Sequence, residues 1–238
     1  IIRCIFASNV TKTDYSGGAI KLKDASPAIT SSTFSRNTAT NFAGGALSID
    51  ATSSPSVRNN LFIGNTAPLG GALFASGTTG LTVSNSRFLG NEATTFFSTG
   101  GGAIALEGEA DSTTFVNCVF SGNKANNYGG VLKGTGSTRF VNCTLTGNTA
   151  EYGGITILFT GDSVSFENSI LWGNSAFTLG SDIYVNTGTA IATNSLFNPA
   201  QTSGTPSGSN NLFSDPLFTD VNGLDNLAGT EDDNLALR

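Results

Sequence analysis

The chain has 238 residues, with 11 Lys and Arg against 17 Asp and Glu, no His and no Met. That length permits a large core in one or two domains, and seventeen Phe are too many for a disordered chain. The net charge of −6 argues against a nucleic-acid partner, which needs a basic surface, and no apolar run is long enough to span a membrane.

The chain opens on the apolar IIRCIF, already in the register of a repeat, and reads as a mature or excised piece that starts in mid-coil. One apolar position then recurs as Phe6, Phe34, Phe62, Phe88, Phe120, Leu145, Leu171 and Phe197, in steps of 28, 28, 26, 32, 25, 26 and 26 residues. Self-similarity at a near-fixed period marks a solenoid. Three residues after that position stand Asn9, Asn37, Asn65, Asn91, Asn123, Asn148 and Asn174, followed by an Ala column from Ala39 to Ala176. A Gly pair comes next, from Gly17-Gly18 to Gly153-Gly154, and is read as Ser181-Asp182 in the following copy. Five residues before the Phe column lie Ile29, Val57, Val83, Phe115, Phe140 and Phe166; three before it lie Ser31, Asn59, Asn85, Asn117, Asn142, Asn168 and Asn194.

The apolar residues alternate over short stretches such as AIKLKD and AIALE, with no sustained helical period, so the elements are strands. Three strands and three turns per copy make the chain all-β: a single-stranded right-handed parallel β-helix of about 8–9 coils of ~27 residues. The hand follows from the preference of parallel connections and from a resemblance given below. Coils stack about 4.8 Å apart. Asn in one column can therefore pass hydrogen bonds up the stack as an asparagine ladder, and the Asn before the Phe column suits a left-handed bend. Cys4, Cys118 and Cys143 share one small inward column and are expected to be reduced; Cys118 and Cys143 sit on adjacent coils, at a spacing a disulfide tolerates.

The combination of GGAI/GGAL (Gly17–Ile20, Gly44–Leu47, Gly70–Leu73, Gly101–Ile104) with seven F/L-x-x-N copies resembles the repeat of chlamydial polymorphic outer-membrane proteins. It also resembles bacterial right-handed parallel β-helix repeat proteins of secreted and cell-surface type. The resemblance covers residues 1–198 and implies an extracellular or cell-surface bacterial module, often a passenger of a larger protein and in several members an adhesin. Residues 199–238 break the repeat and are expected to form an irregular closing segment over the last coil.

Without His there is no Ser-His-Asp triad and no His-ligated metal. Three constellations remain. Asp50 and Glu107 lie two coils apart on the outward side of the strand after the Gly pair, roughly 10 Å by the coil rise, at the edge of inverting-glycosidase spacing; a solvated strand face is the competing reading. Asp220, Asn222 and Asp225, completed by Asp232 and Asp233, have alternating oxygen ligands around Gly223. They read either as a calcium-stabilised cap or as a solvated acidic turn. Phe96 and Phe97 interrupt the longest coil, and exposed Phe74, Ile157 and Phe159 extend an apolar strip toward a partner or glycan. The leading expectation is a non-enzymatic structural or adhesive module that requires no cofactor, binds a surface protein or glycan, or stacks end to end on itself into filaments. The rival is a polysaccharide hydrolase or lyase.

Overall fold

The structure, a computed structural model, describes residues 1–12, 16–77, 80–95, 100–108 and 112–238. Four parallel sheets of seven strands each run the length of a solenoid. Sheet 1 holds the Phe column, from Ile5–Ala7 to Ile170–Trp172, and pairs Phe6 with Phe34, Phe34 with Phe62, and so on through Leu145 and Leu171. Sheet 2 runs from Val10–Thr11 to Ser175–Leu179, sheet 3 from Ile20–Leu22 to Ile183–Val185, and sheet 4 from Ala28–Thr30 to Thr189–Thr193.

Sheet 2 corrects the expectation of three strands per coil. Its early members, such as Thr38–Ala39 and Lys124–Ala125, have two residues each, wedged between the Asn bend and the Gly pair. Two residues are too few for alternation to appear in a sequence, yet parallel backbone pairing still forms. The seven strands in each sheet also give about seven full turns, not eight or nine. A shortened turn follows them. Ser203 bridges Tyr184, Ser207 bridges Ile191 and Leu212 bridges Leu196, all parallel, so the stretch read as an irregular segment from residue 199 continues the winding on a contracted circuit.

The bore is apolar and aromatic. Phe6, Phe34, Phe62, Phe88 and Phe120 stack with centroids 4.7–5.0 Å apart and nearly parallel planes. One turn before this column becomes Leu145 and Leu171, the facing wall changes from Ile29, Val57 and Val83 to Phe115, Phe140 and Phe166, which form their own stack at 5.1 and 5.2 Å. Edge-to-face contacts of Phe115 and Phe140 with Phe120, at 5.4 and 5.6 Å, join the two stacks. Bulk therefore passes from one wall to the other through a turn that carries both rings, Phe115 and Phe120.

Three backbone devices turn each coil. The residue three before the Phe column is left-handed in every turn, with φ near +50° from Arg3 and Ser31 to Asn194. The glycine of F-x-G-N is left-handed as well (Gly90 φ 54°, Gly122 φ 61°, Gly147 φ 64°). In the Gly pair the first residue has positive φ, and a Cβ on the second would collide with the carbonyl of the next coil, as at Gly71 and Gly102. This requirement corrects the alignment of the last copy: Gly180, with φ 67°, and Ser181 take the pair position, one residue earlier than Ser181-Asp182.

The Asn after that bend forms a buried ladder. Asn123 Oδ1 accepts from the backbone N–H and Nδ2 of Asn91 at 3.0 and 2.9 Å, and Asn123 Nδ2 donates to Phe88 O and to Asn148 Oδ1, both at 2.9 Å. The same linkage repeats from Asn9 to Asn174. A second ladder runs through the small inward column. The N–H of Cys4 donates to Ser32 Oγ, Ser32 to Asn60 Oδ1, Asn60 to Ser86 Oγ, Cys143 to Ser169 Oγ, and Ser169 to Ser195 Oγ, at 2.9–3.1 Å. Cys118 and Cys143 supply sulfur acceptors to Ser86 and Cys118 in the same series. All three cysteines are free thiols, and the hydrogen bond to Cys143, with burial, holds the Cys118 thiol protonated well above the ordinary range. They stand in for serine.

Replacing Asn123 by Leu strands several buried groups at once. The expected cost is about 3–5 kcal/mol, read as a lowered urea midpoint; an unchanged midpoint contradicts the ladder's structural weight.

Candidate functional site

The tail shapes a cleft on the flank of the solenoid. Phe218–Asp220 and Asn234–Leu237 form an antiparallel pair. This hairpin was expected to cover the last coil; instead it is tied back along the flank, against turns far from the end. Asp233 Oδ2 accepts from Ser121 Oγ at 2.9 Å and from Gly229 N at 2.7 Å. A Cβ on Gly90 would meet Gly229 O at 3.1 Å, and one on Gly147 would meet the Ala228 methyl at 2.8 Å. The left-handed glycines of three successive turns thus form a strip without side chains, on which the Ala228–Gly229 backbone rests. The end of the stack is closed differently, by the contracted turn and by Phe213 edge-on to Phe197 at 5.2 Å.

Between tail and flank opens a cleft of about 630 Å³. Trp172 and Thr146, from the outer face of sheet 1, form one wall; Asp215, Asp220, Asn222 and Arg238, from the tail, form the other. Trp172 points outward, next to the inward Leu171, and is half-buried. Both cleft carboxylates also brace turns: Asp215 Oδ1 accepts from Leu217 N at 2.8 Å and Asp220 Oδ1 from Asn222 N at 3.3 Å. Arg238 reaches back to Thr219 O.

The rest of the expected calcium loop is engaged in the same way. Asp225 Oδ1 accepts from Leu227 N at 2.9 Å, and Asp232 Oδ2 from Leu224 N and Asp225 N at 2.6 and 3.2 Å. The Thr230 hydroxyl, foremost among the hydrogen bonds to Asp232, holds its carboxyl below the usual range. Among the described residues no three of His, Cys, Asp or Glu are gathered to hold a metal ion.

The second region is the outer face of sheet 3. In-register pairing of Ser76 with Glu107, and of Ala75 with Ile49, puts Asp50, Ser76 and Glu107 in one column, as expected. Asp50 is a turn acceptor, taking the Thr52 and Ser53 hydroxyls at 2.8 Å each. Partial desolvation pushes its carboxyl up, but the hydrogen bonds from Ser53, Thr52 and Asp24 together outweigh that and hold it below the usual range. Such a group is a poor proton donor near neutral pH. Glu107 is exposed and lies beside a groove of about 200 Å³ floored by Ala105, with Leu69 and Lys133 on its sides. Phe74 and Phe159 are half-buried, while Ile157 is only 2 % exposed, correcting its placement on an exposed strip. Ile157 pairs in register with Tyr184, whose ring stacks on Tyr152 at 6.1 Å. Phe96 and Phe97 lie outside the described residues.

Residue counting missed three features here. Lys133 Nζ sits 3.7 Å from the buried carboxylate of Asp162 and 5.2 Å from the centre of the Phe159 ring. Burial lowers the Lys133 pKa, opposed by the charges of Asp162 and Glu107. Tyr128 packs edge-on to both Tyr152 and Phe159, at 5.7 and 5.6 Å. The repeated Y-G-G of residues 128–130 and 152–154 was the available signal for the tyrosines.

These features define a parallel β-solenoid with one clamped tail. A family model described as a right handed beta helix region matches residues 1–171, and the chain belongs to that family. No curated protein and no solved structure matched the chain. The winding is therefore right-handed, as expected.

The Ser121–Asp233 hydrogen bond clamps the tail. In a double-mutant cycle of Ser121→Ala and Asp233→Ala, a coupling of about 1 kcal/mol is expected, together with faster proteolytic release of residues beyond 215 from each single variant. No coupling and unchanged cleavage would contradict the clamp.

Proposed function

We propose that the chain is a non-enzymatic, structural and adhesive β-helix module of an extracellular or cell-surface protein, and that it binds a polar ligand of glycan type in the tail cleft. The observation that carries this reading is how the polar residues are used. The repeated Asn, Ser and Cys satisfy backbone groups inside the coil, and the outward carboxylates Asp50, Asp215, Asp220, Asp225, Asp232 and Asp233 all accept turn hydrogen bonds. What remains for recognition is a half-buried indole beside amide, hydroxyl and carboxylate groups in a concave cleft. An aromatic face with a few convergent polar groups suits a flat, hydroxylated ligand.

A second reading, a polysaccharide hydrolase or lyase, is favoured by one observation: two carboxylates, Asp215 and Asp220, share the cleft wall with Trp172. A panel of soluble polysaccharides separates the two. Binding weakened about tenfold or more by Trp172→Ala, with no turnover, is the expected outcome. Turnover lost with Asp220→Asn would establish the enzyme instead.

End-to-end association belongs to the same proposal. In the isolated chain the first turn has four edge strands, with Ile2 and Ile5 63 % and 77 % exposed, and such an edge pairs with a further coil, whether of preceding chain or of a second copy. Long particles in electron micrographs of the isolated chain are expected; a strictly monomeric sample at high concentration counts against self-stacking.

A further inference from the structure

The Asn ladder has a peculiar end. Asn174 Nδ2 does not meet another asparagine; it donates to Asp182 Oδ1 at 2.8 Å. Asp182 belongs to an interior column, because Ile155 N donates to Asp182 O and Thr156 pairs with Ile183. The same column holds Ala46, Ala72, Ala103, Val131 and Ile155 in the preceding turns, all fully buried. A carboxyl has thus replaced an aliphatic side chain at a position with no solvent exposure. Its second oxygen, Oδ2, is buried without a hydrogen-bond partner.

One turn further on, the same register brings Gln201. The N–H of Asp182 donates to Gln201 O at 2.7 Å, so the two residues sit one above the other on consecutive turns. Gln201 Oε1 is also buried and without a partner. Two orphaned acceptors on stacked residues are costly, since each has lost its water without gaining a donor. One proton placed between them satisfies both.

We propose that Asp182 is protonated in the folded chain and that its Oδ2–H donates to Gln201 Oε1, forming a proton-held latch that fastens the contracted last turn onto the stack. The surroundings favour the neutral acid. The elements packed around the carboxyl present Asn174, Ile155, Ile183 and Gln201, none of them charged. Tyr184, the ionisable residue of the adjoining strand, is turned to the outer face against Tyr152, and no ionic partner acts on the carboxyl. Burial pushes its pKa up to about 7, against the opposing hydrogen bonds from Asn174.

The direction of the pH response follows. An opened turn returns Asp182 to the ordinary carboxyl range near 4, so the closed form binds the proton more tightly. The latch is firm at low pH, weakens through the interval from about 4 to about 7, and is lost once the folded carboxyl ionises. Its effect is local, on the bonds joining Ile183–Val185 to residues 201–203: Asp182 N to Gln201 O, Ser203 N to Ile183 O and Val185 N to Ser203 O.

Two measurements on the full chain test this. In infrared spectra, a protonated-carboxyl carbonyl band is expected at pH 6, titrating near 7 and absent from Asp182→Asn. In native-state hydrogen exchange, protection of the Asp182, Val185 and Ser203 amides is expected to fall about tenfold per pH unit between about pH 5 and 7. Asp182→Asn, whose amide donates in place of the proton, should hold protection constant to pH 8. Gln201→Leu removes the acceptor and should shift the carboxyl midpoint to lower pH; burial alone would leave it in place. Wild-type protection that is flat from pH 5 to 8, with no carboxylic-acid band, would mean that an ionised Asp182 accepts from the Gln201 amide, and would overturn the proposal.

Discussion

Everything in this molecule depends on a buried side-chain amide meeting backbone at a bend. A solenoid coil must turn several times in about 27 residues, and each turn strands peptide groups that the sheet ladders do not reach. At the bend after the Phe column, the Asn side chain takes one carbonyl from the coil before and passes its own oxygen to an N–H and an amide there. Serine, cysteine and asparagine do the smaller task at the other inward bend, taking one N–H from the preceding coil. The two ladders give the small polar residues of the inward columns their role: their side chains satisfy backbone groups of the coils.

With the bends satisfied internally, the walls are free to vary so long as the bore stays filled. The shift of phenylalanine from sheet 1 to sheet 4 is one such exchange, bridged by edge-to-face contacts around Phe120. The outside is freer still. The left-handed glycine of F-x-G-N is required by its φ, but its lack of a side chain also gives the tail a place to lie, and the tail then makes the cleft. A position set by conformation is thereby reused for docking.

What could be read from sequence followed the same division. The Phe column, the Asn ladder, the Gly pair and the column shared by Asp50, Ser76 and Glu107 all recur in register, and recurrence is visible without coordinates. Sheet 2 escaped notice because a two-residue strand has no period. The tail escaped because its contacts with Ser121, Gly90 and Gly147 are lateral and occur once. Outward parity does not make Ile157 exposed, because neighbouring tyrosine rings occupy that face. Counting residues puts Asp182 in the Gly pair because the copy is imperfect there: the pairing of Ala150 with Ala176 shifts before Tyr152 meets Leu179, and the extra residue blurs the register.

The Asn ladder also has a direction. In the Asn–Asn links every Nδ2 donates to the Oδ1 of the later coil and every Oδ1 accepts from the earlier one, from Asn9 to Asn174, whose own Nδ2 meets the acceptor-only Asp182. A coil therefore has a donor side and an acceptor side, like a plug and its socket. Two such stacks can be joined through their ladders only in the same sense. A two-fold axis across an exposed end would set oxygen against oxygen, or amide against amide. Any assembly that extends the ladder is polar along its whole length, with distinguishable ends.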